Sequence, residues 1–187
     1  MKRMISLTMV LICVFCVGLS GCAHIDTDKI EDYGSFLQTM KDMNSGEYPY
    51  LPSAEYLDCM EEVVLYYSDY DLLDSFYTIY VNCVYTPEDY KKEEQRLLEL
   101  SENGSLSYDA DSFCHEAIVL SKTFESDEEL SVMVYDYFLF DQDASRIVYV
   151  SLFDKELRRR HYNIPSEFLP SELVSFMEQK ADEYFIR

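Results

Sequence analysis

Few side chains in this sequence belong to types that do chemistry unaided, and their spacing sorts them quickly. Three histidines occur, His24, His115 and His161, with six cysteines. Cys114-His115 is the place where a thiol adjoins an imidazole, the combination that makes a thiolate nucleophile. Its neighbours read as the entry to a strand, where adjacent side chains point to opposite faces, so no dyad is expected. A Gly-x-Ser-x-Gly elbow, a glycine-rich phosphate loop and His-Glu-x-x-His are all missing from the sequence. Cys13 and Cys16 fall in the apolar N-terminal run, and no close cysteine pair follows them. No catalytic set, metal or other cofactor is therefore expected.

Carboxylates are abundant, at 36. Asp69–Asp74 and Asp141–Ser145 alternate them as a calcium loop does, but an EF-hand also needs glycine at its sixth position and glutamate at its twelfth. Counted from Asp69 those positions hold Asp74 and Tyr80; counted from Asp141 they hold Arg146 and Leu152. The run Glu125–Glu129 reads as a solvated turn with, at most, weak calcium affinity. Glycosidase chemistry needs two carboxylates at a set separation, and so many acids give no way to nominate the pair. The one basic cluster is Arg158-Arg159-Arg160, followed by His161. It suits a phosphate, a carboxylate or a partner surface, or it neutralises acids of its own chain. Arg158, Arg159 and Arg160 are thus the candidate anion or partner contact.

The N-terminus carries the most specific pattern. Lys2 and Arg3 precede an uncharged apolar run, Met4–Val17, and Leu19-Ser20-Gly21 lead directly into Cys22. The run is short for a membrane span, which needs roughly 20 apolar residues. Charge, apolar stretch, small residues and cysteine in this order resemble the lipobox of bacterial lipoproteins. The resemblance implies diacylglycerol on the Cys22 sulfur and cleavage just before it. At about 0.8 kcal/mol per buried methylene, two long acyl chains hold a protein by on the order of 20 kcal/mol. The expected location is the cell membrane, lipid-anchored, on the extracytoplasmic face. Leu51-Pro52-Ser53, the strand Tyr77–Val81 and the helix Pro87–Leu98 also resemble the layout of small lipoproteins of Gram-positive anaerobes, over about half the chain. That likeness implies no activity and carries over no functional residue.

The formal charge is −21, and the leader holds two bases and no acid, so the processed chain is more acidic still. Such a surface argues against nucleic acid as a partner, which needs a basic stripe. It also argues against lying flat on anionic lipid. Seventeen tyrosines occur. Most sit in strand-like segments and are expected to pack in the core or on the sheet. Cys83 reads as core, while Cys59 and Cys114 are a possible bridge in an oxidising compartment.

These groups are positioned by an α+β pattern. Ile30–Met43 predicts a short, loosely docked helix after a tether. Strands are predicted at Val63–Tyr67, Ser75–Tyr85, Glu116–Phe124, Ser131–Phe140 and Arg146–Phe153. Between them, Thr86-Pro87-Glu88-Asp89 opens a helix with an N-cap, a first-turn proline and acids at the positive end of the dipole. Its inner side is expected at Tyr90, Leu97, Leu98 and Leu100, and Asn103-Gly104 ends it. Ser171–Tyr184 has helical apolar spacing. Short links between strands favour a meander. The expectation is a single, mostly antiparallel sheet of about five strands with helices packed on one face. In domain terms, residues 1–21 are the signal peptide, 22–53 the lipidated cysteine, tether and short helix, and 54–187 the globular domain. The expected function is a non-enzymatic domain that binds a protein or small ligand; the alternative is a carboxylate-dependent hydrolase acting on envelope material.

Overall fold

In the computed structural model the described residues are 24–44, 48–69, 75–103, 107–108, 116–126, 131–154 and 164–175. In chain order they form strand β1 (His24–Thr27), helix α1 (Tyr33–Asn44), β2 (Met60–Asp69), β3 (Ser75–Val84), helix α2 (Pro87–Asn103), β4 (Ser107–Tyr108), β5 (Glu116–Ser126), β6 (Ser131–Asp141) and β7 (Arg146–Asp154). Short 3-10 turns occupy Ile30–Asp32, Ala54–Cys59 and Ser166–Phe168, and residues 171–175 are helical. The strands make one sheet in the order β1-β2-β3-β7-β6-β5-β4, and every pairing is antiparallel. The fold is α+β. The five strands expected from alternation are its five long ones; β1 and β4 extend the edges.

The central strands are apolar on both faces, and this decides what packs where. On one face Val63, Leu65, Ile79, Val81, Cys83, Phe138, Ile147 and Tyr149 meet Tyr33, Phe36 and Met40 of α1 and Tyr90 and Leu97 of α2. The opposite face carries Tyr80, Tyr135, Tyr137, Val148, Val150 and Leu152. It is covered by Ile164, Phe168 and Leu173. Tyr137 donates its hydroxyl proton to the Phe168 carbonyl at 2.8 Å, and the Tyr80 and Phe168 rings stack at 6.1 Å. The two long helices thus share one face, as the α+β pattern implies. The start of the C-terminal helix lies on the other, because a sheet with two apolar faces must cover both.

Local chemistry explains the elements. Thr86 caps α2 by accepting from the Asp89 amide at 3.2 Å, while its hydroxyl donates to Asp89 Oδ2 at 2.8 Å. The inner side of α2 is Tyr90, Glu93 and Leu97; Leu98, expected inside, is 44% exposed. One step past Leu97 turns a side chain about 100° round the helix, so only one of the two leucines can face the sheet. The helix expected to dock loosely is part of the core: Tyr33, Phe36 and Met40 are buried, and the Tyr33 hydroxyl donates to the Pro52 carbonyl at 2.8 Å.

Candidate functional site

Among the described residues two buried carboxylates lie on the helix-covered face, and each terminates a chain of hydroxyl groups. Glu93, on the inner side of α2, is 2% exposed. Tyr149 donates to Glu93 Oε1 at 2.8 Å, and Tyr85 stands 2.8 Å from Tyr149. Since the Tyr149 proton is committed to the carboxylate, Tyr85 must donate to Tyr149. Arg96, one turn along α2, pairs with Glu93 at 2.5 Å and donates to the carbonyls of Pro49 and Leu51. Burial pulls the Arg96 pKa down, but the hydrogen bond and charge of Glu93 outweigh it and hold it above its ordinary value. Burial likewise pushes both Tyr85 and Tyr149 up. The group is a clasp: it neutralises a buried acid and pins residues 49–51 over the core.

The second carboxylate is Asp136 on β6, opposite Ser151 on β7. Ser151 donates to Asp136 Oδ1, so the Tyr50 hydroxyl, 3.2 Å from Ser151 Oγ, donates to Ser151. Burial first, and the Asp136 charge second, push Tyr50 and Tyr77 well above the ordinary phenol value. This chain ends on a carboxylate as the first does, and it ties Tyr50, within the segment the first group pins, to the far strands.

A third polar group is left open. On the other face, Asn82 of β3 and Arg146 of β7 are diagonal neighbours, since Asn82 pairs with Val148 and Val84 with Arg146. Asn82 is 5% exposed, yet its Oδ1 has no hydrogen-bond partner, and neither has Arg146 Nε. Beside them Tyr80 donates to Glu62 Oε2 at 3.0 Å, and Arg146 reaches Glu61 Oε2 at 3.4 Å. A register shift between Met60 and Glu62 gives β2 an extra residue, which places Glu61 and Glu62 side by side at this rim. Burial, then the charge and hydrogen bond of Glu62, push the Tyr80 phenol up. An unpaired buried carbonyl costs roughly 1–3 kcal/mol. A donor and an acceptor are thus buried without partners beneath one rim, which carries exposed acids.

The residues singled out by type and spacing fall elsewhere. Cys22, Cys114, His115, His161, Arg158, Arg159 and Arg160 lie outside the described residues. His24 is on the edge strand, its ring 5.3 Å from Tyr66 in a T-shaped contact. Cys83 is buried and Cys59 half-buried, and both are free thiols. Burial pushes the Cys83 thiol up to about 12. Asp141, considered for calcium, accepts from the Ala144 amide at 3.1 Å and shapes the β6–β7 turn. Among the described residues no group of three or more His, Cys, Asp or Glu is placed to hold a metal ion. Among them, too, no helix is long and apolar enough to cross a membrane. Glu93, Asp136, Asn82 and Arg146 gave no motif in the sequence. The usable signal was a polar residue at an inward position: Asn82 in a strand whose neighbours are apolar, and Glu93 on the Tyr90–Leu97 stripe.

Compared with known proteins, the chain matches no family model, no curated protein and no solved structure.

Proposed function

We propose that this chain is a lipid-anchored extracytoplasmic lipoprotein whose domain binds a ligand rather than transforming one. The observation that carries the binding half is the pair of unsatisfied polar atoms beneath the Asn82–Arg146 rim. Both buried carboxylates of the helix-covered face are consumed by internal hydroxyl chains. The rim, by contrast, keeps a guanidinium N–H and an amide oxygen without partners. Both atoms are buried, so a group that accepts and donates, such as a peptide amide or a sugar hydroxyl, reaches them only when the cover over this rim opens locally. The anchoring half rests on the resemblance at Leu19–Cys22.

Mass spectrometry of the native protein tests the anchor. The expected N-terminus is a diacylglyceryl-modified Cys22, and Cys22→Ala is expected to leave the protein unprocessed or released. An N-terminus without fatty acid overturns the location. The binding half is tested by thermal shift against peptides, amino acids and envelope saccharides, since a ligand that binds only the native state raises Tm. A compound that stabilises the wild type is expected to lose its effect on Asn82→Leu, a substitution of similar volume. Ligands whose shifts ignore that substitution overturn the assignment. Turnover of envelope polymer by the purified protein overturns the non-enzymatic reading in favour of a hydrolase.

A further inference from the structure

The chain enters the sheet immediately after the cysteine, and this fixes which end of the domain meets the membrane. Only Ala23 separates Cys22 from β1. Two extended residues span at most about 7 Å, so His24 lies within that distance of the anchored residue. His24 is paired with Ser68 near the end of β2, at the end of the sheet where β2 stops and β3 begins. The antiparallel register carries the same end across the molecule: Tyr77 pairs with Phe153, and Val134 with Phe153 in turn. At the opposite end Val84 pairs with Arg146, next to the β6–β7 turn and the N-terminus of α2. A ten-residue strand such as β3 puts roughly 30 Å between the two ends, at 3.2–3.4 Å per residue.

We propose that the domain stands end-on at the bilayer, with the start of β1 at the headgroups of the extracytoplasmic leaflet and the Asn82–Arg146 rim on the end facing away. The lipid surface is the partner of one end, and the rim is left for partners approaching from outside. This rests on the lipoprotein reading above. Two further features favour standing over lying. The chain's charge of −21 is repelled by anionic lipid within a Debye length of about 8–10 Å, and a leash of one residue lets the body pivot but not drift away. Among the described residues the one large apolar side chain that is exposed is Leu98 on α2, so they offer no apolar flank to rest on the membrane.

The test uses the full-length, natively lipidated protein in vesicles carrying a headgroup-labelled energy acceptor. A donor fluorophore is placed through a non-natural residue at Asp26 or at Asp143, both exposed. Asp26 lies on β1 near the anchor, and Asp143 in the β6–β7 turn. Transfer from position 26 is expected to exceed that from position 143 several-fold. A Gly/Ser insert of about 12 residues between Ala23 and His24, with an r.m.s. reach of roughly 20 Å, is expected to narrow the difference. Equal transfer from both positions in a protein shown by mass to be lipidated overturns the orientation alone. A purified protein without fatty acid overturns the anchor and the orientation together, while the thermal-shift assignment of the rim stands apart from both.

Discussion

Replacing Arg96 by methionine removes the guanidinium and keeps most of the stem, which isolates the charge of the α2 clasp. The arginine has three attachments to lose: the 2.5 Å pair with Glu93 and the bonds to the Pro49 and Leu51 carbonyls. Breaking a fully buried ion pair costs about 3–5 kcal/mol, because the remaining charge stays in a poorly solvated site. Glu93 meets that condition at 2% exposed, but Arg96 is 37% exposed, and water at its site screens part of the loss. The pair is therefore worth about 2 kcal/mol, and the freed carbonyls add about 1 kcal/mol. The total of about 3 kcal/mol corresponds to a fall in Tm of roughly 6–12 °C for a domain of this size. Urea unfolding followed by far-UV circular dichroism reads it directly. Arg96→Met combined with Glu93→Gln should cost less than the sum of the two single changes, since the double variant no longer buries an unpaired carboxylate. An Arg96→Met variant within about 0.5 kcal/mol of wild type, or strict additivity in the double variant, refutes the assignment of the clasp as a stabilising ion pair; the first of these is the size of an ordinary surface substitution.

Three further outcomes follow from the same structure. Burial pushes the phenols of Tyr33, Tyr50, Tyr85 and Tyr149 above the ordinary value, so above about pH 10 the unfolded chain releases protons that the fold retains, and stability falls as pH rises. The part of the tyrosinate absorbance that comes from these buried phenols should then appear together with the loss of circular dichroism, and complete tyrosine ionisation with the fold intact contradicts this. Ser145 has a φ of 52°, in the left-handed region, within the β6–β7 turn; Ser145→Gly should raise stability by about 0.5–1 kcal/mol, and a lower urea midpoint counts against it. Cys83 is 0% exposed with its thiol pushed up to about 12 by burial, so maleimide at neutral pH should modify half-buried Cys59 first and reach Cys83 only on unfolding, as peptide mapping would show; equal labelling rates in the native protein oppose this.

Much of the scaffold was legible because local pattern and packing agreed. Tyr77, Ile79, Val81, Cys83 and Tyr85 alternate as a strand requires, and Thr86-Pro87 with the acids behind it is a helix start that needs no tertiary support. The edge strands were not legible. His24–Thr27 holds three polar side chains in four residues and joins the sheet through backbone hydrogen bonds, which leave no trace in side-chain pattern. The rim was not legible either, since Asn82 and Arg146 are 64 positions apart and meet only through the β3–β7 register.

The sequence by itself determined the charge, the five long strands and the capped α2 helix. Each depends on residue type or on neighbours a few positions away. Tertiary structure decided which acids are neutralised, which polar atoms are left without partners and which end of the sheet adjoins Cys22. Those depend on groups distant along the chain being held at hydrogen-bonding distance. That spacing comes from strand register and from burying two apolar faces, and neither is a property of any local segment.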